Sequence, residues 1–263
     1  MQRSLSVIIP NYNNGRYLPK CLDSVLMQTY PVREIIVFDD ASTDLSKEIL
    51  KDYEKRYPAI KAIYSNENVG VSIARDTAIK KVTADYVTML DADDFYWDQD
   101  KLAREMDLVN DTQEQICTFS QTIKVNEKGI PYRAVTHRHI GRFVRWKTVT
   151  RLYGIYAPRD YCFPKQIYLE LGGYVPDMNL YEDWELNLRL MSECRFIYSG
   201  GYGTAYRQKE GGLSGVDAKR HLEAKKRAFS NNKNRLCYTV LEEAVFYSLL
   251  YFNYLRKVIR AEK

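Results

Sequence analysis

The sequence lacks the cysteine patterns that build disulfide frameworks or zinc sites. Its five cysteines lie far apart along 263 residues, no two of them form a C-x-x-C pair, and none has a histidine partner at zinc-ligand spacing. An odd, scattered set of this kind is typical of reduced and buried thiols in a cytoplasmic protein. We therefore expect no disulfide framework.

Long apolar runs are missing as well. No uninterrupted stretch approaches the roughly 20 apolar residues that a transmembrane helix needs. The first residues lead directly into a predicted strand, so we expect no signal peptide. These absences favour a cytoplasmic protein that is either soluble or bound peripherally to the inner face of the membrane.

The positive charge is unevenly distributed. The chain carries a net charge of +5, but from Asp217 onward eleven Lys or Arg residues face five acidic ones, so the preceding part is close to neutral. A basic C-terminal segment favours phosphate-rich partners such as an anionic membrane or a nucleic acid, although a solvated helix face explains it equally well. A chain of 263 residues can form one large α/β domain or two small ones, and a hydrophobic content of 45% is ample for a core.

The first third alternates between two kinds of pattern. Short apolar runs predict strands at 5–9, 34–38, 60–64 and 86–90, and between them helical periodicity covers 17–26, 45–53 and 72–81. Continuous apolar strands joined by helices indicate a mostly parallel sheet with helices on both faces. In such a sheet ligands bind beyond the carboxyl ends of the strands.

Three of these strands end in polar tails. The most informative tail is Asp91-Ala92-Asp93, and the others are 10–13 and Asp39-Asp40. Two carboxylates one residue apart suit Mg²⁺ or Mn²⁺, which bind through a few carboxylates and complete their coordination with phosphates and water. An acidic turn at the end of a strand is the alternative, because such triplets are common. The meeting of three polar tails at one sheet edge favours a site.

The second half has less regular patterns. We expect a hairpin turn at 126–129, a short helix at 165–171 that stops at Gly172-Gly173, and a further helix that opens at Glu182-Asp183. Acidic residues are favoured in a first helical turn, so capping alone would explain that pair.

Six ordered segments together resemble the signatures of the family 2 glycosyltransferases. They lie at 6–13, 37–44, 68–76, 91–94, 172–174 and 181–186, and the resemblance extends over about 4–215. It implies an α/β GT-A fold, with a Rossmann-like, mostly parallel, mixed central sheet. The implied domain is 1–215, with a nucleotide-sugar half at 1–95 and an acceptor half at 96–215, followed by a basic, aromatic helical extension at 216–263.

The resemblance implies an inverting enzyme that transfers a sugar from a UDP-sugar to a hydroxyl of a saccharide acceptor with the help of Mn²⁺ or Mg²⁺. Pro10 and Tyr12 match positions that border the base, where an aromatic face can stack. Asp40 matches the carboxylate that accepts the uracil imide N–H, and Arg75 matches a base or phosphate contact.

The remaining matched positions concern the metal and the chemistry. In Asp91-Ala92-Asp93, the first carboxylate would bind the ribose and the second would hold the metal on the diphosphate. Asp183 matches the catalytic base, and inversion requires one carboxylate that takes the proton from the acceptor hydroxyl. Glu182 and Trp184 flank this base and are candidates for contact with the acceptor.

One segment departs from the family pattern. Family members often carry a histidine near the metal where this chain has Lys209, two residues after Arg207. A lysine ammonium cannot ligate a metal but can bind phosphate as a point charge. The glycine-rich stretch that follows, with Ser214, would form a lid over the donor or an ordinary loop.

The C-terminal segment predicts one long helix with a broad apolar and aromatic surface between 240 and 259, followed by basic residues. Such a helix can lie on a membrane surface, pack on the body of the protein or contact a second subunit in a homodimer. With membrane contact, the acceptor would be a lipid-linked saccharide in a bacterial surface-polysaccharide, lipopolysaccharide or glycoconjugate pathway.

Two other functions fit part of the sequence. A polyprenyl-phosphate sugar transferase shares the early motifs and would use an acceptor phosphate. A nucleotide-binding or nucleic-acid-binding module without catalysis would explain the basic tail, but Asp91, Asp93 and Asp183 argue against it because binding alone needs no base. We therefore expect no nucleic-acid partner.

Overall fold

The computed structural model of the chain describes residues 2–135, 160–178, 180–209, 217–236 and 240–261. The first third contains the predicted alternation of strands and helices. The strands are β1 (Leu5–Asn11), β2 (Glu34–Asp39), β3 (Ile60–Tyr64) and β4 (Tyr86–Met89). The helices between them are α1 (Leu18–Leu26), α2 (Ser46–Arg56) and α3 (Val71–Lys81). These predictions from the apolar runs and the helical periodicity are confirmed.

The first sheet is mostly parallel and has the strand order β3-β2-β1-β4-β8. Its edge strand β8 (Phe163–Pro164) is short and runs antiparallel to β4, whereas the other four strands are parallel to one another. The chain order reverses between β1 and β4, and ligands of open α/β sheets bind at this kind of switch point, beyond the carboxyl ends of the strands.

Helices cover both faces of this sheet. Along β1, Val7 and Ile9 point to a core shared with α1 and α2, while Ile8 between them points to a second core shared with α3. This alternation explains why the strand is mainly apolar, since both of its faces are buried.

A second sheet has the order β5-β9-β6-β7. It consists of β5 (Phe95–Tyr96), β6 (Ile116–Val125), β7 (Pro131–Val135) and β9 (Arg195–Arg207). A helix, α4 (Lys101–Asn110), leads into β6. The predicted hairpin turn joins β6 to β7, and Gly129 takes the left-handed conformation there, with φ +80°. The single mixed sheet that we expected is therefore divided, and among the described residues a bridge between Thr118 and Cys162 links the two parts.

Two helices precede β9 in the second half of the chain. The helix α5 (Lys165–Glu170) ends at Gly172 and Gly173, both with positive φ, as predicted. A Cβ on Gly173 would collide with the Asp76 carboxylate of α3, so this turn also needs glycine for close approach. The next helix, α6 (Glu182–Glu193), begins at the predicted acidic pair.

The C-terminal extension forms α7 (Ala218–Leu236) and α8 (Val240–Ala261). Both pack against α6, and Trp184 of α6, Phe229 of α7 and Phe246 of α8 share one hydrophobic cluster. The inner face of the extension therefore lies on the body of the protein. Among the described helices, none combines the length and apolar character that crossing a membrane requires. The four cysteines in the described part of the chain are buried and form no disulfide with one another.

Candidate active site

The tails of β1 and β2 are bound tightly to each other. The Asn11 side-chain amide donates to the Asp39 carboxylate at 2.7 Å, and the Asn13 backbone N–H donates to the Ser42 hydroxyl at 2.9 Å. Among described non-glycine residues, φ is positive at Asn13, Ala41 and Tyr181, each beside a candidate site residue. Left-handed conformations at such residues cost free energy and cluster at functional sites.

Asp40 lies directly after β2 and is buried. Its two carboxylate oxygens accept the backbone N–H groups of Val69 and Gly70, at 2.7 and 2.9 Å, just before α3 begins. A carboxylate can accept about four hydrogen bonds, so these two leave acceptor capacity for a ligand. Pro10 lies half-buried one residue before the end of β1, and the Tyr12 side chain just after the strand is 49% exposed.

An acidic cluster follows β4. Oxygen atoms from the Asp91, Asp93 and Asp94 carboxylates lie within 4.8 Å of one another, while Ala92 between them is buried. A hard cation such as Mg²⁺ or Mn²⁺ prefers a set of this kind, so the residues present fit the metal that the motif implies. The sequence reasoning did not single out Asp94, although it belongs to the same run.

Cys21 of α1 lies beneath this cluster. Its thiol is in contact with the Asp91 backbone carbonyl at 3.6 Å. Burial raises the pKa of this thiol well above its usual value, and the carboxylates of Asp94, Asp93 and Asp91 raise it further. The side chain therefore stays a neutral packing group under the acidic loop.

Arg75 of α3 links the acidic loop to α6. One guanidinium nitrogen donates to Asp91 at 2.6 Å and the other terminal nitrogen donates to Glu182 at 2.5 Å. The side chain is only 2% exposed. Burial disfavours its charge, but Asp91, Tyr174 and Glu182 outweigh that effect and raise the pKa of Arg75 well above its usual value. The predicted contact of Arg75 with base or phosphate stays a prediction, and the observed contacts are those of a bridge.

Three carboxylates lie in the first turn of α6, and the structure gives each a different setting. Glu182 binds Arg75, whereas Glu185 is buried, binds Arg189 at 2.5 Å and accepts a hydrogen bond from Asn232 of α7. Asp183 is half-buried, and its carboxylate accepts the Trp184 backbone N–H at 2.7 Å. Two of the carboxylates thus anchor the helix to its neighbours, and Asp183 reaches the surface between them.

The Trp184 side chain points away from this surface. It is 7% exposed and stacks against Phe246 of α8, with ring centroids 6.5 Å apart. The sequence suggested contact with the acceptor, but the structure places the indole in the core that joins α6 to the extension. Its aromatic partner lies 62 positions further along the chain, beyond the reach of a local pattern.

Arg207 ends β9 against the acidic loop. Its backbone N–H donates to the Asp94 carboxylate and its side chain donates to the Asp93 carbonyl, both at 2.7 Å. The guanidinium also donates to the Glu127 carbonyl at 2.6 Å and lies 4.6 Å from the Tyr17 ring. These contacts fix the end of β9 beside the predicted metal-binding residues.

Lys209 follows two residues later. Its ammonium lies 2.7 Å from the Asp93 carboxylate and 2.8 Å from the side-chain oxygen of Asn14, a residue that the sequence reasoning missed. Ser214, proposed from the sequence as part of a lid, lies outside the described residues. The structure thus brings Asp91, Asp93 and Lys209 together at the edge where the polar tails were expected to meet.

Comparison with known proteins gives the family. The sequence model of Glycosyl transferase family 2 matches residues 6–167. A Bacillus subtilis (strain 168) protein, TuaG, whose name assigns it to teichuronic acid biosynthesis as a glycosyltransferase, is 40% identical over 118 residues. That match covers 45% of this chain and 45% of TuaG, so the matched part spans less than half the length of this relative.

Two solved structures have the same fold. S. aureus TarS 1-349 in complex with UDP-GlcNAc superposes with a TM-score of 0.76 at 18% identity, over 94% of this chain and 71% of that one. The mannosyltransferase PcManGT from Pyrobaculum calidifontis, in complex with GDP-Man and Mn²⁺, superposes with a TM-score of 0.68 at 20% identity, over 95% of this chain and 70% of that one. From its matched domain and its architecture, this chain belongs to glycosyl transferase family 2 and has the GT-A fold.

Proposed function

We propose that this glycosyltransferase inverts the anomeric centre and moves a sugar from a UDP-sugar to a hydroxyl of a saccharide acceptor. The observation that carries the proposal is the Arg75 bridge, which joins Asp91 on the donor side to Glu182, the neighbour of Asp183. The bridge holds the proposed donor site and the proposed base side by side, as a direct displacement requires.

The donor side follows from the tails of the parallel strands. Tyr12 offers its exposed ring to the base, with Pro10 beside it, and Asp40 accepts the uracil imide N–H. Asp91 binds the ribose hydroxyls. Asp93 holds a divalent cation, which when bound neutralises charge on the diphosphate.

Asp183 is the proposed base. The acceptor oxygen attacks the anomeric carbon from the face opposite the diphosphate and forms the new glycosidic bond. Asp183 takes the hydroxyl proton, while the bond from the anomeric carbon to the diphosphate breaks and UDP leaves with its electron pair. One displacement of this kind inverts the configuration and needs one carboxylate base.

The acceptor belongs to a bacterial surface polysaccharide or glycoconjugate, a proposal supported by the name of TuaG. In the proposed division of the chain, 1–95 binds the nucleotide-sugar, 96–215 binds the acceptor and 216–263 is an added helical extension. A screen of nucleotide sugars against saccharide and polyprenyl-phosphate acceptors tests this proposal. Transfer to the phosphate alone would contradict it and favour a polyprenyl-phosphate sugar transferase.

We expect UDP with Mn²⁺ to stabilise the fold and Asp93→Ala to remove most of the metal-dependent part. A ligand that binds only the native state raises the free energy of unfolding by about 2.7 kcal/mol at a hundredfold excess over its Kd. Thermal unfolding with UDP, with Mn²⁺ and with both measures the two contributions separately.

Asp107→Ala on α4, outside the proposed site, is the control and should respond to Mn²⁺ like the wild type. Equal stabilisation by UDP with and without Mn²⁺ would contradict the role given to Asp93. Stronger stabilisation by GDP than by UDP would contradict the role given to Asp40.

We also propose that α8 rests on the anionic inner surface of the membrane. Its inner face packs on the body through Phe246 and Leu250, whereas Tyr251, Phe252 and Leu255 are exposed on the other side. The sequence of the extension adds an excess of six positive charges. Exposed aromatic side chains beside basic residues suit the membrane interface.

Replacement of these three exposed residues by serine should reduce co-sedimentation with vesicles that contain anionic lipid, because it removes the apolar contact with the bilayer. The fold should remain, because the substituted side chains face away from the core. Salt should weaken binding of the wild-type protein. Unchanged vesicle binding would contradict the proposal, and conversion of a wild-type dimer to a monomer by the same substitutions would assign the surface to a second subunit.

A further inference from the structure

We propose that Lys209 is a built-in counter-ion of Asp93, which a divalent cation displaces on binding, and that the displaced ammonium then binds the diphosphate of the donor. This inference rests on the proposed function, because it assigns the diphosphate and the cation to the same acidic loop. It starts from one contact, the 2.7 Å ion pair between the Lys209 ammonium and the Asp93 carboxylate.

Neighbouring residues hold the Lys209 side chain in position. Its ammonium also donates to the side-chain oxygen of Asn14, which lies on the tail of β1, and it lies 5.3 Å from the Tyr17 ring. The side chain is 27% exposed. Two residues earlier, the buried Arg207 fixes the backbone through its hydrogen bonds to the acidic loop. The lysine therefore comes from a fixed strand end and meets acceptors from two separate segments.

Each carboxylate of the acidic loop already has a hydrogen-bond donor in this arrangement, and two of the three donors are charged side chains. Arg75 binds Asp91, Lys209 binds Asp93, and the Asp94 carboxylate accepts the Arg207 backbone N–H. A divalent cation that uses the Asp93 carboxylate must therefore replace a positive charge that is already there. Repulsion between like charges at such short distances drives the ammonium away from the bound cation.

The displaced ammonium can bind the diphosphate of the donor. A cation on this loop faces the diphosphate in the proposed complex, and a lysine can bind a phosphate oxygen as a point charge. The same side chain then has two opposite effects. It weakens binding of the cation to the protein without nucleotide, and it strengthens binding of the nucleotide to the protein that holds the cation.

Lys209→Ala tests both effects. Mn²⁺ binding without nucleotide, followed by electron paramagnetic resonance of the unbound ion, should tighten about three- to tenfold, because a partly exposed ion pair no longer competes. UDP binding at saturating Mn²⁺, measured by calorimetry, should weaken by a similar factor. A merely structural role of Lys209 would shift both affinities in the same direction.

Two further variants complete the experiment. Lys209→Arg keeps the charge and should restore UDP binding toward the wild-type affinity. Lys226→Ala is the matched control, since Lys226 on α7 is 24% exposed and lies 3.0 Å from the Glu223 carboxylate, and it should change neither affinity.

An Mn²⁺ affinity of Lys209→Ala that equals or falls below that of the wild type would overturn the proposal. Absence of Mn²⁺ binding from both proteins would overturn it too. Unchanged UDP binding would overturn the transfer of the ammonium to the diphosphate. None of these measurements uses sugar transfer, so activity that depends on Asp183 would still support the proposed function if this inference failed.

Discussion

Asp183→Asn should lower the rate of sugar transfer about 10²–10⁴-fold, the range that general base catalysis typically contributes. Asparagine keeps the size of the side chain but cannot take the proton from the acceptor hydroxyl. Binding of UDP should stay near that of the wild type, because the donor contacts that we propose come from the strand tails. The measurements are the rate of transfer under saturating donor and the Kd for UDP.

The stability of this variant separates catalysis from helix capping. Asp183 lies in the first turn of α6, where a carboxylate stabilises a helix by about 0.3–1 kcal/mol through the helix dipole. Loss of that contribution is small, and the asparagine side-chain oxygen can still accept the Trp184 N–H. The melting temperature should therefore stay close to that of the wild type. Glu193→Gln, at the other end of the same helix, is the control and should transfer sugar normally.

If the Asp183→Asn protein were fully active, the role of catalytic base would belong to another residue of α6. Glu182 would be the next candidate and Glu185 the one after it. The structure gives both an arginine partner, Arg75 and Arg189 respectively, so the oxygens of each carboxylate already hold a side chain of the protein. Glu182→Gln should accordingly lower the free energy of unfolding, whereas Asp183→Asn should lower the rate of sugar transfer.

The sequence predicted the strands and the helix ends that depend on residues close together in the chain. The four parallel strands were predicted because each contains a short, mainly apolar run, and the structure buries both faces of β2 and β4 and nearly all of β1. The end of α5 was predicted from the pair Gly172-Gly173. In the structure both glycines adopt positive φ. The meeting of the polar strand tails followed from the parallel arrangement, since the carboxyl ends of parallel strands share one edge.

The contacts that complete the site join residues that lie far apart in the sequence. The hydrophobic periodicity of the sequence carries no information about such pairs. Arg75 binds Glu182, 107 positions away, and Lys209 meets Asn14, 195 positions away. The orientation of Trp184 depends on a partner in α8. The division into two sheets depends on the pairing of β6 with β9, whose first partners, Ile116 and Arg195, lie far apart in the sequence.

The second large effect concerns stability, and it comes from Arg75. Arg75→Met should lower the free energy of unfolding by about 3–5 kcal/mol, because it leaves the buried Glu182 carboxylate and the half-buried Asp91 carboxylate without their compensating charge. Asp91 and Glu182 would both lose the guanidinium that binds them. Denaturant unfolding measures this change, and Arg56→Met is the control. Arg56 forms a 2.7 Å pair with Asp52 on the exposed face of α2, so its variant should unfold close to the wild type.

A double variant distinguishes a bridge from a contact with the donor. If Arg75 mainly bridges, then Arg75→Met together with Glu182→Gln should be less destabilised than the sum of the two single variants, because the second change removes one of the charges that the first exposed. If Arg75 mainly binds base or phosphate, Arg75→Met should weaken UDP binding and leave unfolding near that of the Arg56 control. Arg75→Lys sharpens the test, since an ammonium cannot reproduce the two-pronged geometry of the guanidinium. Because the bridge fixes Asp91 relative to the first turn of α6, its loss should also slow transfer by displacing Asp183 from the donor, even where the variant is folded.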